Sequence, residues 1–366
     1  MSKTVVYQAK RVITMNDDCP SAQAVAIRDG RFLAVGSLKE VLTTVGSDHE
    51  VSNVFADRVL VPGLIDQHLH PMLGATTLTT EVIAPEDWVL PHRTFVACSN
   101  ETDYSDRLLA AHQSLPEGEW LFSWGWHALW HGPLSRERLD MLVGDRPTAI
   151  WQRSCHEWIL NSAALDAIGL TRELTQGFGL ASEQIDWERG HFYENGFMIV
   201  LAKYLLPHFM TRERFHLGLK QLVEYLHMNG VTAINEHGIW WLSEPWDLYQ
   251  EILGHEDVPF ESTFMVEART QPLRQLSAEQ FVADACKQVE FGSGTKVRVI
   301  DRHVKLFADG AIISQLMQMK EPYLDHGGNP DADHHGQWLM EPDQLKLVFD
   351  TYWDAELHYH WSLWVR

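Results

Sequence analysis

Pro62-Gly63-Leu64-Ile65-Asp66-Gln67-His68-Leu69-His70 is the stretch on which the reading of this chain turns. It closes an apolar run that opens at Val59 (VLVPGLID), reads as a buried strand and presents two histidines one residue apart. In a strand, residues i and i+2 face the same side, so both imidazoles can reach one metal ion. In a barrel of parallel strands the site is built at the C-terminal strand ends, and this pair falls at such an end. A chain with 20 histidines also produces H-x-H by chance, and only the preceding hydrophobic strand and Pro-Gly turn lift the pair above that background.

Upstream, residues 1–57 read as short strands in a small β module. Asp29-Gly30 sits between two alternating apolar runs, the signal of a hairpin whose turn needs positive φ at both central residues. Downstream, residues 58–366 alternate short apolar strands with helical stretches, the pattern of βα units around a parallel sheet. Strands are expected at 58–66, 120–124, 148–152, 231–235, 260–266, 302–307 and 356–359, and a helix at 212–229, stopped by Gly230. Residues 325–336, DHGGNPDADHHG, read as a surface loop near the site.

Composition narrows the function. The 29 Lys+Arg against 50 Asp+Glu give a net charge of −21, which argues against nucleic-acid binding and an anionic membrane surface and favours neutral or cationic small-molecule substrates. Four dispersed cysteines and the lack of an 18-residue apolar run point to a soluble, cytoplasmic protein, with homo-oligomerisation left open. Phosphate-binding loops, dinucleotide fingerprints, the serine-hydrolase elbow and H-E-x-x-H are absent from the sequence.

PGLIDQHLH resembles the first-strand signature of the amidohydrolase superfamily. AVAIRDGRFLAVGS resembles the β module that precedes the barrel there. The segments 134–140, 145–147, 155–165 (CHEWILNSAAL), 230–234 (GVTAI) and 303–311 (HVKLFADGA) resemble the branch called amidohydrolase family 3, in order along nearly the whole chain. The resemblance implies a TIM-like (β/α)8 barrel of α/β class behind an N-terminal β-sandwich module. It also implies hydrolysis of a non-peptide C–N bond by hydroxide from a water held on divalent metal, most simply one or two zinc ions.

Within that resemblance His68 and His70 hold the first metal. Lys305 bridges as a carbamate formed with carbon dioxide, which requires an amine partly neutral at ambient pH. Alternation places His303 and Phe307 on the same face as Lys305, and the family pattern selects the lysine. His360 holds the second metal, with His358 the alternative. His156 matches a pocket-wall histidine and Trp126, with Trp124 and Trp130, an aromatic wall, both as substrate-binding candidates; a structural histidine and a core cluster are the competing readings. Asp66 orients a ligand imidazole, and His237 ends another strand. After His360 the sequence reads WSLWVR, so the Gly-Asp pair, the sixth-strand histidine and the general-base aspartate of the family have no counterparts, and the expected barrel is C-terminally truncated. Two alternatives stay open: a catalytically incomplete remnant that binds metal or a partner, and a mononuclear site using His68 and His70 without a carbamate.

Overall fold

The computed structural model describes residues 3–239, 245–258, 261–268, 277, 279–280, 282–283, 296–325 and 328–362; the side chains of 239, 245 and 359–362 lie outside the description. The chain divides into two compact units, Met1–Leu64 and Ile65–Arg366.

The first unit is a four-stranded sheet of β1 (Thr4–Ile13), β2 (Ser21–Arg28), β3 (Arg31–Gly36) and β4 (His49–Leu60), ordered β3-β2-β1-β4. Arg28 pairs with Arg31 across the β2–β3 turn, where Asp29 and Gly30 have φ of 52° and 72°. These are the two positive values that the Asp-Gly signal requires. The helix Leu38–Val45 starts in a capping box between Ser37 and Glu40 and buries Val41 against Val6, Ala24 and Ala26. Among the described residues this unit has one sheet and one helix, not the two facing sheets of a sandwich.

Next in the chain is β5 (Leu64–Asp66), which leads into the second unit. Then come β6 (Glu81–Val82), a ribbon of β7 (Trp88–Val89) and β8 (Thr94–Phe95), and β9 (Leu121–Trp126), β10 (Thr148–Gln152), β11 (Glu157–Leu160), β12 (Ile185–Asp186) and β13 (His191–Tyr193). Apart from the ribbon, the strands from β6 to β13 form a mixed six-stranded sheet, β12-β13-β11-β10-β9-β6. Every residue of β9, β10 and β11 is buried, and the rings of Trp151 and Trp158 stack at 5.2 Å. A strand covered on both faces reads as a continuous apolar run, which is how 148–152 reads.

A second sheet follows from β14 (Val231–Ile239), β15 (Glu261–Glu267), β16 (Val297–Phe307) and β17 (His358–Ser362), in the order β17-β16-β15-β14-β5. From β14 to β17 the pairs are parallel and run in chain order. The strands expected at 120–124 and 148–152 therefore belong to a separate sheet inserted between β5 and β14, not to one parallel sheet. Alternating strand and helix patterns do not encode which strands pair. Among the described residues both sheets are open and no closed barrel is formed.

The expected buried strand 58–66 is also different. β4 ends at Leu60, Pro62 lacks a ladder donor, and β5 lies at a sheet edge, so Val61, Leu64 and Ile65 are about 60 % exposed. The helix Arg212–Met228 packs on the helix Pro71–Leu78 through Gly218, where a Cβ would stand 2.0 Å from the Ala75 carbonyl oxygen. Only glycine permits that approach. His70 is the N-cap of the second of these helices, with Pro71 at its first position, so this packing fixes where the histidine stands.

Candidate metal centre

The His-x-His turn is pinned at both ends. Asp66 Oδ1 accepts the His68 backbone N–H at 3.1 Å, and the Leu69 N–H donates to the Asn235 carbonyl on β14 at 3.1 Å. That bond sets His68 and His70 against the residues after Asn235. His70 Nδ1 lies 2.5 Å from Glu236 Oε1, the His68 and His70 rings are 5.1 Å apart, and His68 stacks on His237 at 4.6 Å. Glu236 is buried, which pushes its carboxyl above the usual range, while His70 and the charge of Lys305 pull it back. With Glu236 ionised, its oxygen only accepts, so the His70 proton sits on Nδ1 and Nε2 keeps its lone pair.

Lys305 is 1 % exposed, a rare environment for an ammonium. β16 sets it in register with Glu267 of β15 on one side and with His360 of β17 on the other, and its Nζ lies 4.9 Å from the Phe307 ring centroid. Gly238, at φ +130°, admits no side chain without strain, and a Cβ there would lie 3.5 Å from Glu267 Cβ and 3.7 Å from Lys305 Cγ. Position 238 thus sets no side chain of its own against the lysine and the acid.

These ends open on a cavity of about 310 Å³. Its polar wall holds His70, His156, Glu194, Glu236, His237 and Glu267, and Phe197, Met198 and Phe307 line its apolar part. His156 Nδ1 meets Glu194 Oε2 at 2.9 Å. Trp126 lies elsewhere: it is 4 % exposed, packs among Ile83, Cys98 and Leu134, and donates to the Gly132 carbonyl at 3.3 Å. Trp124 is also buried, with its Nε1–H on Cys155 Sγ at 3.3 Å, and Trp130 is 39 % exposed beside the His127 ring. His303 and His358 are paired across β16 and β17 with ring centroids 4.9 Å apart, two residues before Lys305 and His360. The His360 side chain lies outside the described residues.

The donors suit a divalent ion: two imidazoles on one turn, one of them oriented by a buried carboxylate as ligand histidines are, beside a buried lysine and further carboxylates. Among the described residues no three of His, Cys, Asp and Glu yet surround a common point. Sequence reasoning did not single out Glu236, Glu267 or Glu194. Glu236 carries the one usable signal, an acid between an apolar strand and a histidine already in view.

Parallel strands with this chemistry at their ends define the fold of an amidohydrolase-type metal-dependent hydrolase, and solved structures agree. An uncharacterized metal-dependent hydrolase from Pyrococcus horikoshii OT3 superposes with a TM-score of 0.64 at 18% identity, over 98% of this chain and 64% of that one. One from Pyrococcus furiosus superposes with a TM-score of 0.62 at 17% identity, over 98% and 66%. The chain belongs to the amidohydrolase family, whose model matches residues 56–360. Among curated proteins it is 24% identical to the putative amidohydrolase YtcJ of Bacillus subtilis, covering 87% of this chain and 56% of that protein. It is 23% identical to the protein LONG AFTER FAR-RED 3 of Arabidopsis thaliana, covering 91% and 54%. It is 29% identical to an N-substituted formamide deformylase of Arthrobacter pascens, covering 46% and 29%. The chain spans about half the length of the first two. No helix among the described residues is long and apolar enough to cross a membrane.

Proposed function

We propose that the chain carries the metal-holding part of a hydrolase that cleaves a non-peptide C–N bond in a small molecule. The observation that carries this reading is the burial of Lys305 beside Glu236 and Glu267, at the sheet end where His70 faces the cavity. His68 and His70 would hold one zinc ion, His360 a second, and Lys305, carboxylated by carbon dioxide, would bridge them. Bound metal would acidify water and polarise the substrate carbonyl. Glu236 holds the His70 ring and its tautomer, and Gly238 sets no side chain against Glu267 and Lys305. The side-by-side register of Lys305 with His360 supports His360 over His358.

The wider reading joins a TIM-like barrel, whose first five strands would be β5 and β14 to β17 in chain order, to an N-terminal β module spanning about residues 1–57. The charge of −21 supports a neutral or cationic substrate over nucleic acid. We place the protein in the cytoplasm. A second reading, a remnant that binds metal or a partner without turnover, draws on the lack of three converged donors among the described residues.

The test is the metal-to-protein ratio of monodisperse protein purified with zinc and bicarbonate, beside a His68→Ala/His70→Ala control. One to two metals per chain, lost in the control, are expected. No metal in either protein would overturn the proposal.

A further inference from the structure

We infer that His156, oriented by Glu194, is the residue that meets the nitrogen side of the substrate, so that the site selects amides bearing an N–H. This rests on the hydrolase reading above and adds to it the substrate class and the residue that recognises it.

Three bonds lock the pair. Glu194 is fully buried and its Oε2 faces His156 Nδ1 at 2.9 Å, while the Glu194 backbone N–H donates to the His156 carbonyl at 3.0 Å. The other carboxylate oxygen, Oε1, accepts the Ala311 N–H at 3.0 Å, in the loop that follows the strand bearing Lys305. Glu194 holds this place at φ 45°, a left-handed conformation unfavourable for a side-chain-bearing residue and sustained by what surrounds it. The six-stranded sheet and the lysine strand are thereby joined through one carboxylate.

The chemistry of recognition follows from the proton count. A carboxylate oxygen only accepts, so Nδ1 of His156 donates to it, and the ring's uncharged form has its lone pair at Nε2. Nε2 has no partner among the described residues, and the side chain is 29% exposed on the cavity wall. The other polar groups there include Glu236 and Glu267, acceptors again, while Phe197, Met198 and Phe307 receive apolar substituents. A ligand that suits this wall offers an N–H to His156 and a hydrophobic group beside it. A tertiary amide or an ester of the same shape leaves Nε2 buried and unpaired. Glu194 is the positioning residue, acting through His156 and the 308–311 loop.

The test uses the whole chain with histidine labelled by nitrogen-15 and metal removed by chelation, so that no turnover occurs. Long-range proton–nitrogen spectra, with His156 identified by its loss in His156→Gln, should show the Nδ1–H tautomer. N-benzylformamide should shift the His156 Nε2 signal at least fivefold more tightly than N-benzyl-N-methylformamide. In Glu194→Gln, one amide oxygen faces two donors, so the Nε2–H tautomer should appear and the preference between the two formamides should vanish. An Nε2–H tautomer in the wild-type chain, or equal binding of the two formamides, overturns the inference whatever Glu194→Gln does. Selective binding without any metal uptake in zinc would instead sink the hydrolase reading and leave standing only the recognition of an N–H by His156.

Discussion

The two sheets of the second unit solve opposite problems. In the six-stranded sheet β9, β10 and β11 are buried along their whole length, and Trp151, Trp158 and Phe209 pack ring against ring. In the five-stranded sheet the C-terminal ends bury Glu236, His237, Glu267 and Lys305, and its edge strand β5 leaves Leu64 and Ile65 exposed. Burying aromatic area stabilises, whereas burying charge costs energy unless it is paired. The difference teaches a division of labour: the inserted sheet contributes stability, and the parallel sheet holds groups whose burial serves chemistry.

The harshest way to break that comparison is Trp158→Ala. Trp158 is wholly buried, stacked on Trp151 and set edge-on to Phe209 at 4.9 Å. Its loss should cost about 3–5 kcal/mol in urea unfolding, while metal bound per folded molecule stays unchanged. A cost below about 1 kcal/mol would show that the six-stranded sheet is not where stability resides.

Next in size is Glu236→Gln on the parallel sheet. The amide loses the charge that orients His70, so zinc affinity measured by competition with a chromophoric chelator should fall about 10–100-fold. The urea midpoint should move little, because a costly buried carboxylate is removed with the charge. A large stability loss with unchanged zinc affinity would reverse the assignment of roles.

What the sequence showed, and what it did not, follows the same division. The Asp29-Gly30 turn, the strand at 148–152 and the helix begun at Arg212 were legible because each is set locally, by φ, by an apolar run or by period and cap. That residues 81–193 pair among themselves was not legible, since partner choice is decided by contacts distant in sequence. At the site, His68, His70 and Lys305 stood out as unusual residues for their segments and His156 through the family resemblance, and three of them prove buried or on the cavity wall: His70, His156 and Lys305. Glu194, Glu236 and Glu267 did not stand out, because a chain with 50 acidic residues gives no sign of which few are buried. Trp126 was misleading for the opposite reason, since an aromatic residue on a strand serves a core as readily as a pocket.

The smallest effect expected is a pH dependence, and it sharpens the cost side of the comparison. Asp309 follows the lysine strand, is 5 % exposed, and its Oδ2 accepts the Gln318 N–H at 3.0 Å. Burial raises its carboxyl above the ordinary 3.8, the neighbouring Glu194 charge adds to this, and the backbone N–H bond of Gln318 opposes it. A folded state that holds this proton more tightly than the unfolded chain loses stability as pH rises. The contribution is whole below the ordinary value and is lost as pH climbs through the raised folded value. Asp309→Asn mimics the protonated acid and carries no such slope. Urea midpoints taken from about pH 4 to about pH 8 should therefore show the variant gaining on the wild type as pH rises and then holding a constant lead. A difference that is flat throughout, or that favours the wild type at higher pH, would mean that the Gln318 bond outweighs burial and that this end of the parallel sheet bears no electrostatic cost at Asp309.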